Sequence, residues 1–483
     1  MPSRRTHPNI RPLILLGVAA ATLLSDGCGG GSGGGSGGGS GGASSGGTAT
    51  QCSETVRKQW VLSAAEEWYL FPQTLPATVD TSAYATAEDL LSALTATARA
   101  NGWDRNFSYL TTQAAENSLF GEGQFIGFGF RVRTDPGPHV YILEVFEGSP
   151  AAMAGVLRGD EIVAVDQGSG YQTVSTLLAD GGTISDALGP STAGLTRGLQ
   201  LRRDGATLTV SLTKTTVTMD AVPPSYGVQV FPLTGTAGVG YVALRSYIST
   251  ADTPLQEAFA QFRLQGLQHF IIDLRYNGGG LISVAQVLDD LLGSARSTSD
   301  IEFSLIYRAS KSGQNASTTF SPGVDSVAPV RIAFLTTDAT ASASELSINS
   351  MRPWVETAII GGNTYGKPVG QLAFDLGGCP DRLRLISFKM VNAQNQGDYY
   401  TGLEGPMEGY ACAATDTLDV PLGRAAEGLT AAALAWLGSA TCPVAMTAAE
   451  SGATAKFGGR GAVDRFPLPR HPSAAQLWLP GVN

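Results

Sequence analysis

Between residues 225 and 438 the chain repeats one local pattern: a short apolar run, a turn, then an amphipathic run with helical spacing. Gly238–Leu244, His269–Leu274, Arg331–Thr336 and Val355–Ile360 read as strands. Pro254–Leu264, Leu281–Leu292 and Ser342–Ser350 read as helices. Strands that alternate with helices need crossover connections. This part is thereby constrained to a mainly parallel, helix-covered sheet, with its functional groups at the carboxyl ends of the strands.

The rest of the protein is organised differently. With 483 residues there is room for two or three cores, and 43% hydrophobic content against 15% charged is that of a globular body. A net charge of −10, with no long Lys/Arg cluster, excludes a nucleic-acid partner, since phosphate binding needs a basic face.

Arg4, Arg5 and Arg11 flank an apolar run from Leu13 to Leu24, about the length of an export-signal core and too short to span a membrane. Cys28 follows Ser25-Asp26-Gly27. Glycine before cysteine resembles a lipoprotein processing site, although Ser25 stands where leucine is usual. Residues 27–47 are almost only Gly and Ser, a flexible leash of roughly 25 Å root-mean-square span. The expectation is a signal over 1–28 with Cys28 lipidated, then a linker over 29–50. The protein would be exported and held at the bacterial cell envelope by a lipid anchor, facing the periplasm or the cell surface. Plain secretion or an uncleaved anchor is the alternative.

Four further cysteines, Cys52, Cys379, Cys412 and Cys442, suit two disulfides in an exported protein, and their spacing is not that of a zinc site. The preferred pairing is Cys379 with Cys412, which flank one strand-rich segment. Cys52 and Cys442 would then join the two ends of the body. Free buried thiols are the other reading.

Residues 51–121 form a small helical lead-in. Glu54–Tyr69 has helical periodicity, Thr86–Ala100 opens with an N-cap-like Thr86-Ala87-Glu88-Asp89, and Asp104–Tyr109 reads as a turn. Residues 122–218 are richer in strand. Phe125–Phe130 and Val140–Phe146 read as strands, followed by Gly148-Ser149-Pro150-Ala151-Ala152-Met153-Ala154-Gly155 and Leu157-Arg158-Gly159-Asp160-Glu161. This short helix followed by a Gly-Asp turn resembles a PDZ domain. The resemblance implies capture of a polypeptide's C-terminus by strand addition. Gly127, Phe128, Gly129 and Phe130 would form the carboxylate loop, with Phe128, Phe130 and a helix near Thr176–Leu178 as apolar walls. Use only as a spacer is the alternative.

Three pieces carry the chemistry. Asp273-Leu274-Arg275-Tyr276-Asn277-Gly278-Gly279-Gly280 ends a buried strand in a glycine turn whose amides can face an oxyanion. Thr340-Ala341-Ser342-Ala343-Ser344-Glu345 puts a serine in a small-residue run. Tyr365-Gly366-Lys367 puts a lysine in a glycine-flanked loop. The only histidines are His7, His139, His269 and His471, none in a catalytic-looking run, so an amine is the candidate base. Taken alone, Ser342 and Lys367 read more readily as a helix start and a surface lysine. Together with the PDZ-like segment before them and Asp104-Arg105-Asn106-Phe107-Ser108-Tyr109 further upstream, the pieces resemble the C-terminal processing peptidases, which include the tail-specific proteases. The resemblance covers roughly residues 55–438.

That resemblance implies an α/β, multidomain fold: an N-terminal helical region, a PDZ-like β-domain and a ClpP/crotonase-like catalytic core over 219–442. It places the nucleophile at Ser342, the general base at Lys367 and a third polar residue at Gln371. The oxyanion donors would be the backbone amides of Ala343 and Gly279. Lysine must be desolvated to act as a base at neutral pH, and a neutral Gln371 can orient it without adding charge. Pro368 stands where relatives usually carry Gly and restricts Lys367 to extended backbone. Asp273 and Arg275 read as braces of the glycine turn, Glu345 as a cap, and Ser344 as the rival nucleophile.

The expected function is a serine endopeptidase acting on unfolded or C-terminally marked proteins, with no cofactor and no metal. A catalytically silent PDZ-containing peptide-binding lipoprotein and a hydrolase of small esters or amides are the alternatives. Residues 443–483, with Pro443, Pro467, Pro469, Pro472 and Pro480, read as a loose tail.

Overall fold

The computed structural model describes residues 51–443 and 472–483, apart from 136, 138 and 180. The expected export signal, Cys28, the whole Gly/Ser stretch and residues 444–471 of the expected tail lie outside the described residues.

The alternating pattern folds as its periodicity demands. Val239–Ala243, His269–Asp273, Arg331–Thr336, Glu356–Gly361 and Ala411–Ala413 form a parallel array in that spatial order, and Val228–Phe231 adds antiparallel at one edge. The inner strands are almost wholly buried because both faces are covered. Gly428–Ser439 packs on one face, with Leu429, Ala433, Trp436 and Leu437 in the same apolar cluster as Tyr241, Ile271 and Leu335. Asp252–Leu264, Ile282–Leu291 and Ala343–Met351 share the larger cluster on the other face.

A second sheet is antiparallel. Its spine is the 12-residue strand Asp381–Asn392. Tyr109–Thr112, Ile301–Tyr307 and Val369–Asp375 pair with that strand, and Ala316–Thr319 extends the sheet beyond Ile301–Tyr307. The N-terminal helix Glu54–Trp68 buries Val61, Leu62 and Ala65 with Leu383, Leu385 and Ile386 of the spine. The expected single helix over 86–100 divides at Thr95. Ala87–Leu94 opens with a Thr86–Asp89 capping box, and a second short helix spans Ala96–Ala100.

The PDZ-like domain is an antiparallel sheet in the order Phe130–Thr134, Val140–Val145, Glu161–Asp166, Thr196–Arg203, Ala206–Thr213. Gln124–Gly127 and Thr215–Thr218 pair as the stem through which the backbone enters and leaves the domain. The expected single strand over 125–130 is two strands broken at Phe128-Gly129. Gly129 has φ +86°, and a Cβ there would lie 2.1 Å from Ser149 Cβ, so only glycine fits. Ser149 caps the short helix Pro150–Met153.

Two expectations fail. The disulfides are Cys52–Cys379 and Cys412–Cys442, rather than Cys379–Cys412 with Cys52–Cys442. The strand Ala411–Ala413 lies at the sheet edge, and the helix Gly428–Ser439 runs back along the same sheet, which brings Cys442 beside Cys412. The turn at Gly377–Cys379 meets residues 51–52, where the Gln51 side chain donates to the Gly377 carbonyl at 3.2 Å. The tail is also not loose at its end. Ala474–Trp478 is a helix, and Trp478, Leu479 and Val482 are 5%, 0% and 2% exposed within the main core cluster.

Candidate active site

Ser342 precedes the helix Ala343–Met351 with φ +56° and ψ −115°, a left-handed conformation that costs a non-glycine residue of order 1–3 kcal/mol. The turn is held from both sides. The Ala341 amide donates to Asn277 O at 3.0 Å, and the Ser342 amide donates to Glu345 Oε2 at 3.0 Å. As the first helical residue, Ala343 has an amide with no acceptor inside the helix.

Glu345 is fully buried and does more than cap. Its Oε1 accepts from Thr364 Oγ1 at 2.6 Å and from the Gly366 amide at 2.7 Å. Its Oε2 accepts from the Lys367 amide at 2.7 Å. One carboxylate therefore ties the serine turn to the lysine loop. Burial pushes its pKa up, and these donors pull it back. Gly366 has φ +87°, and a Cβ there would lie 2.5 Å from Tyr400 O, so the loop needs glycine before the lysine.

Lys367 is buried, and its Nζ donates to Gln371 Oε1 at 3.1 Å. Gln371 in turn donates through Nε2 to the Phe107 carbonyl. Nζ lies 5.1 Å from the centre of the Phe107 ring and 4.4 Å from that of Trp478. Burial lowers its pKa to about 7, opposed by the charges of Asp104 and Glu345 and assisted by that of Arg384. The backbones of Ser342 and Lys367 are thus tied through Glu345, and the Lys367 amine is held by Gln371.

The glycine turn abuts the serine. A Cβ on Gly279 would lie 2.7 Å from Ser342 Cβ and 2.9 Å from the Ala343 nitrogen. The Gly279 amide itself, expected as an oxyanion donor, instead donates to Asn277 Oδ1 at 2.9 Å. The short Asn277 side chain loops back onto the amide two residues on. Among the described residues no acceptor is bonded to the neighbouring Gly278 amide. Ser344, the rival nucleophile, is fully buried with its hydroxyl donated to Asn277 O at 2.9 Å. Asp273 and Arg275 pair with each other, and Arg275 also bonds Asp416 and Glu427. They brace the turn from behind.

Three contributors escape sequence reasoning. Arg105 donates to the carbonyls of Tyr365 and Gly366 and stacks 4.1 Å from the Tyr365 ring centre, clamping the lysine loop. Asp104 accepts from Tyr69 Oη, Ser108 Oγ and two amides, which fixes the turn that delivers Phe107. Trp478 arrives from the far end of the sequence. The upstream run Asp104–Tyr109 signals the first two, but nothing local signals Trp478.

The PDZ-like loop faces the same region. The Gly129 and Phe130 amides donate to Asn483 O at 2.9 and 3.3 Å, and a Cβ on Gly127 would lie 2.9 Å from the Asn483 carbonyl carbon. The Phe128 and Phe130 side chains are fully buried in the domain core.

Fold and site together define a multidomain α/β protein in which a PDZ-like domain precedes the parallel-sheet domain that carries Ser342 and Lys367. Residues 238–402 match the model of peptidase family S41, residues 57–109 its N-terminal domain and residues 124–213 a PDZ domain. The chain thus carries a peptidase family S41 domain over 238–402 and that family's N-terminal domain over 57–109. It is 30% identical over 274 residues to the chloroplastic C-terminal processing peptidase of Tetradesmus obliquus, covering 53% of this chain and 54% of that one. It is 28% identical over 259 residues to the carboxyl-terminal-processing protease of a Picosynechococcus strain, covering 53% and 57%. The chain thus spans about half the length of the curated relatives it matches. The fold is also that of a Bacteroides fragilis protein assigned to the S41 proteases, with TM-score 0.59, 24% identity, and 79% and 97% of the two sequences covered.

Proposed function

We propose that this protein is a serine endopeptidase of the carboxyl-terminal-processing type, with Ser342 as nucleophile and Lys367 as general base. The observation that carries this reading is the anchoring of the Ser342 and Lys367 amides on one oxygen of Glu345, beside a lysine amine that burial has made weakly basic. Near neutral pH a large fraction of Lys367 is unprotonated. Its Nζ takes the proton of Ser342 Oγ as the oxygen attacks a peptide carbonyl, then gives that proton to the leaving amine. Water hydrolyses the acyl-enzyme by the same route in reverse. Gln371 orients the amine without charging it. The Ala343 amide receives the oxyanion, and the Gly278 amide is the second donor, since that of Gly279 is engaged by Asn277.

Substrates are unfolded proteins presented through their C-termini at the Gly127–Phe130 loop. The protein works at the bacterial envelope, exported and lipid-anchored at Cys28, where the Gly/Ser leash lets the body reach substrates over the surface. Cleavage of one unfolded substrate with a free or an amidated C-terminus tests the recognition step. Equal rates would exclude C-terminal reading. Fractionation of the wild-type and Cys28→Ala proteins tests the anchor, and an unmodified wild-type protein confined to the soluble fraction would exclude it. Loss of proteolysis in Ser342→Ala with the fold intact separates an enzyme from a silent binding protein.

A further inference from the structure

The carboxylate loop is already occupied, and its occupant belongs to the same molecule. Asn483, the last residue of the sequence, accepts from the Gly129 and Phe130 amides and donates its own amide to Phe130 O at 3.0 Å. Val482 bridges antiparallel to Arg131, and the Val132 amide donates to Gly481 O at 2.8 Å. Gly481–Asn483 is therefore an added strand on Phe130–Thr134, the geometry by which such grooves take peptide C-termini. Arg131, fully buried, reaches the Pro480 carbonyl at 3.2 Å and the Tyr276 carbonyl at 3.0 Å, so it touches both the tail and the run before the glycine turn.

The same tail then crosses the candidate active site. A Cβ on Gly278 would lie 2.4 Å from Trp478 O and 3.0 Å from Pro480 Cδ, which puts the tail backbone directly against the turn expected to hold the oxyanion. The Trp478 ring lies over Lys367 Nζ, packs edge-on against Phe120 at 5.3 Å, and donates Nε1 to Tyr109 Oη. Ser473 caps the helix and pairs with Gln476, whose Nε2 reaches Asn483 Oδ1 at 3.4 Å, so helix and terminal strand hold each other.

We infer that Ser473–Asn483 is a ligand of this protein's own PDZ groove, bound in cis, that also covers Lys367 and the Gly278 turn, so that a substrate C-terminus must displace it before cleavage. The covering part rests on the catalytic assignment proposed above; the groove part does not. The ligand class follows from the occupant: an extended peptide with uncharged side chains and a small apolar residue before the one at the loop, of the form Pro-Gly-Val-Asn. A groove filled in cis lowers the apparent affinity for any competing C-terminus by the fraction of molecules left open.

The test uses a fluorescein-labelled peptide of sequence Ser-Ala-Ala-Gln-Leu-Trp-Leu-Pro-Gly-Val-Asn and an unfolded casein substrate. Three proteins are compared: the full-length protein, a truncation ending at residue 443, and full-length Val482→Asp. The point variant keeps the helix and guards against a truncated protein that fails to fold, which circular dichroism would reveal. The expected result is that a folded unseated variant binds the peptide at least about tenfold more tightly than the full-length protein, binds its amidated form more weakly, and cleaves casein faster. Trp478→Ala, which leaves Gly481–Asn483 in place, should leave the groove closed to the peptide. Folded variants that bind the peptide no better than the full-length protein overturn the inference. Because binding needs neither Ser342 nor Lys367, variants that bind the peptide yet never cleave contradict the catalytic reading and leave the occupied groove standing.

Discussion

The backbone amides of Ser342 and Lys367 donate to the same oxygen, Glu345 Oε2, at 3.0 and 2.7 Å. Two residues 25 apart in sequence are thereby fixed in one frame by a buried carboxylate. Glu345→Gln puts an NH₂ group where two of those donors point. The variant should lose at least about tenfold in kcat with KM little changed, and about 1–3 kcal/mol of stability from unpaired buried amides. A purely structural role would leave the pH profile in place. Loss of the charge that favours the ammonium form should instead move the acid limb of kcat to lower pH.

The pH dependence follows from Lys367. Its pKa is lowered to about 7 by burial, and only the neutral amine accepts a proton. Activity should therefore rise with pH through about 7. Two variants should shift this limb in opposite directions. Asp104→Asn removes a charge that favours the ammonium form and moves the limb down. Arg384→Gln removes a charge that disfavours it and moves the limb up. Rate profiles between pH 5 and 9 read both shifts.

Cys52–Cys379 joins residues 327 apart and pins the first helix to the second sheet, while Cys412–Cys442 closes a segment of 30. Cys52→Ala with Cys379→Ala should destabilise the fold by about 2–5 kcal/mol. Denaturant unfolding with and without reductant measures this loss. The reductant should weaken the wild type and leave a variant lacking all four cysteines unchanged.

Asp289 and Glu302 are buried close enough to interact, and burial pushes both carboxyls well above the ordinary range. Below that range the folded and unfolded states both hold the protons. Above it the unfolded state releases them and the folded state keeps them, so stability falls as pH rises towards the raised folded pKa values. Asp289→Asn should flatten this slope and raise the melting temperature at pH 8 relative to the wild type. Thermal unfolding at pH 5 and 8 checks it. An identical slope in the variant would place the linkage elsewhere.

What was legible in the sequence was what local pattern encodes. The parallel core follows from the strand–turn–helix spacing, and Ser342, Lys367, Gln371 and the Gly127–Phe130 loop follow from short runs that resemble a family. Asp273 and Arg275 read correctly as braces because a charged pair at a buried strand end needs partners. The disulfide pairing did not read out. Sequence spacing says nothing about which helix returns to which sheet edge. Glu345 looked like a helix cap because only its link to Ser342 is local; its links to Thr364, Gly366 and Lys367 form only when the loop closes over it. The tail looked loose because its prolines break periodicity. Trp478, Leu479 and Val482 are buried by surfaces more than 100 residues away in sequence.

The most direct test of the central claim is cleavage of an unfolded substrate by the wild type, Ser342→Ala and Lys367→Arg across pH 5 to 9, with new termini identified by mass spectrometry. Wild-type activity should rise through about pH 7. Both variants should be folded and slower by at least about three orders of magnitude, because arginine cannot give up its proton and nucleophile and base act as one unit. Substantial turnover by Lys367→Arg, or cleavage that survives in Ser342→Ala, would contradict a Ser342–Lys367 mechanism.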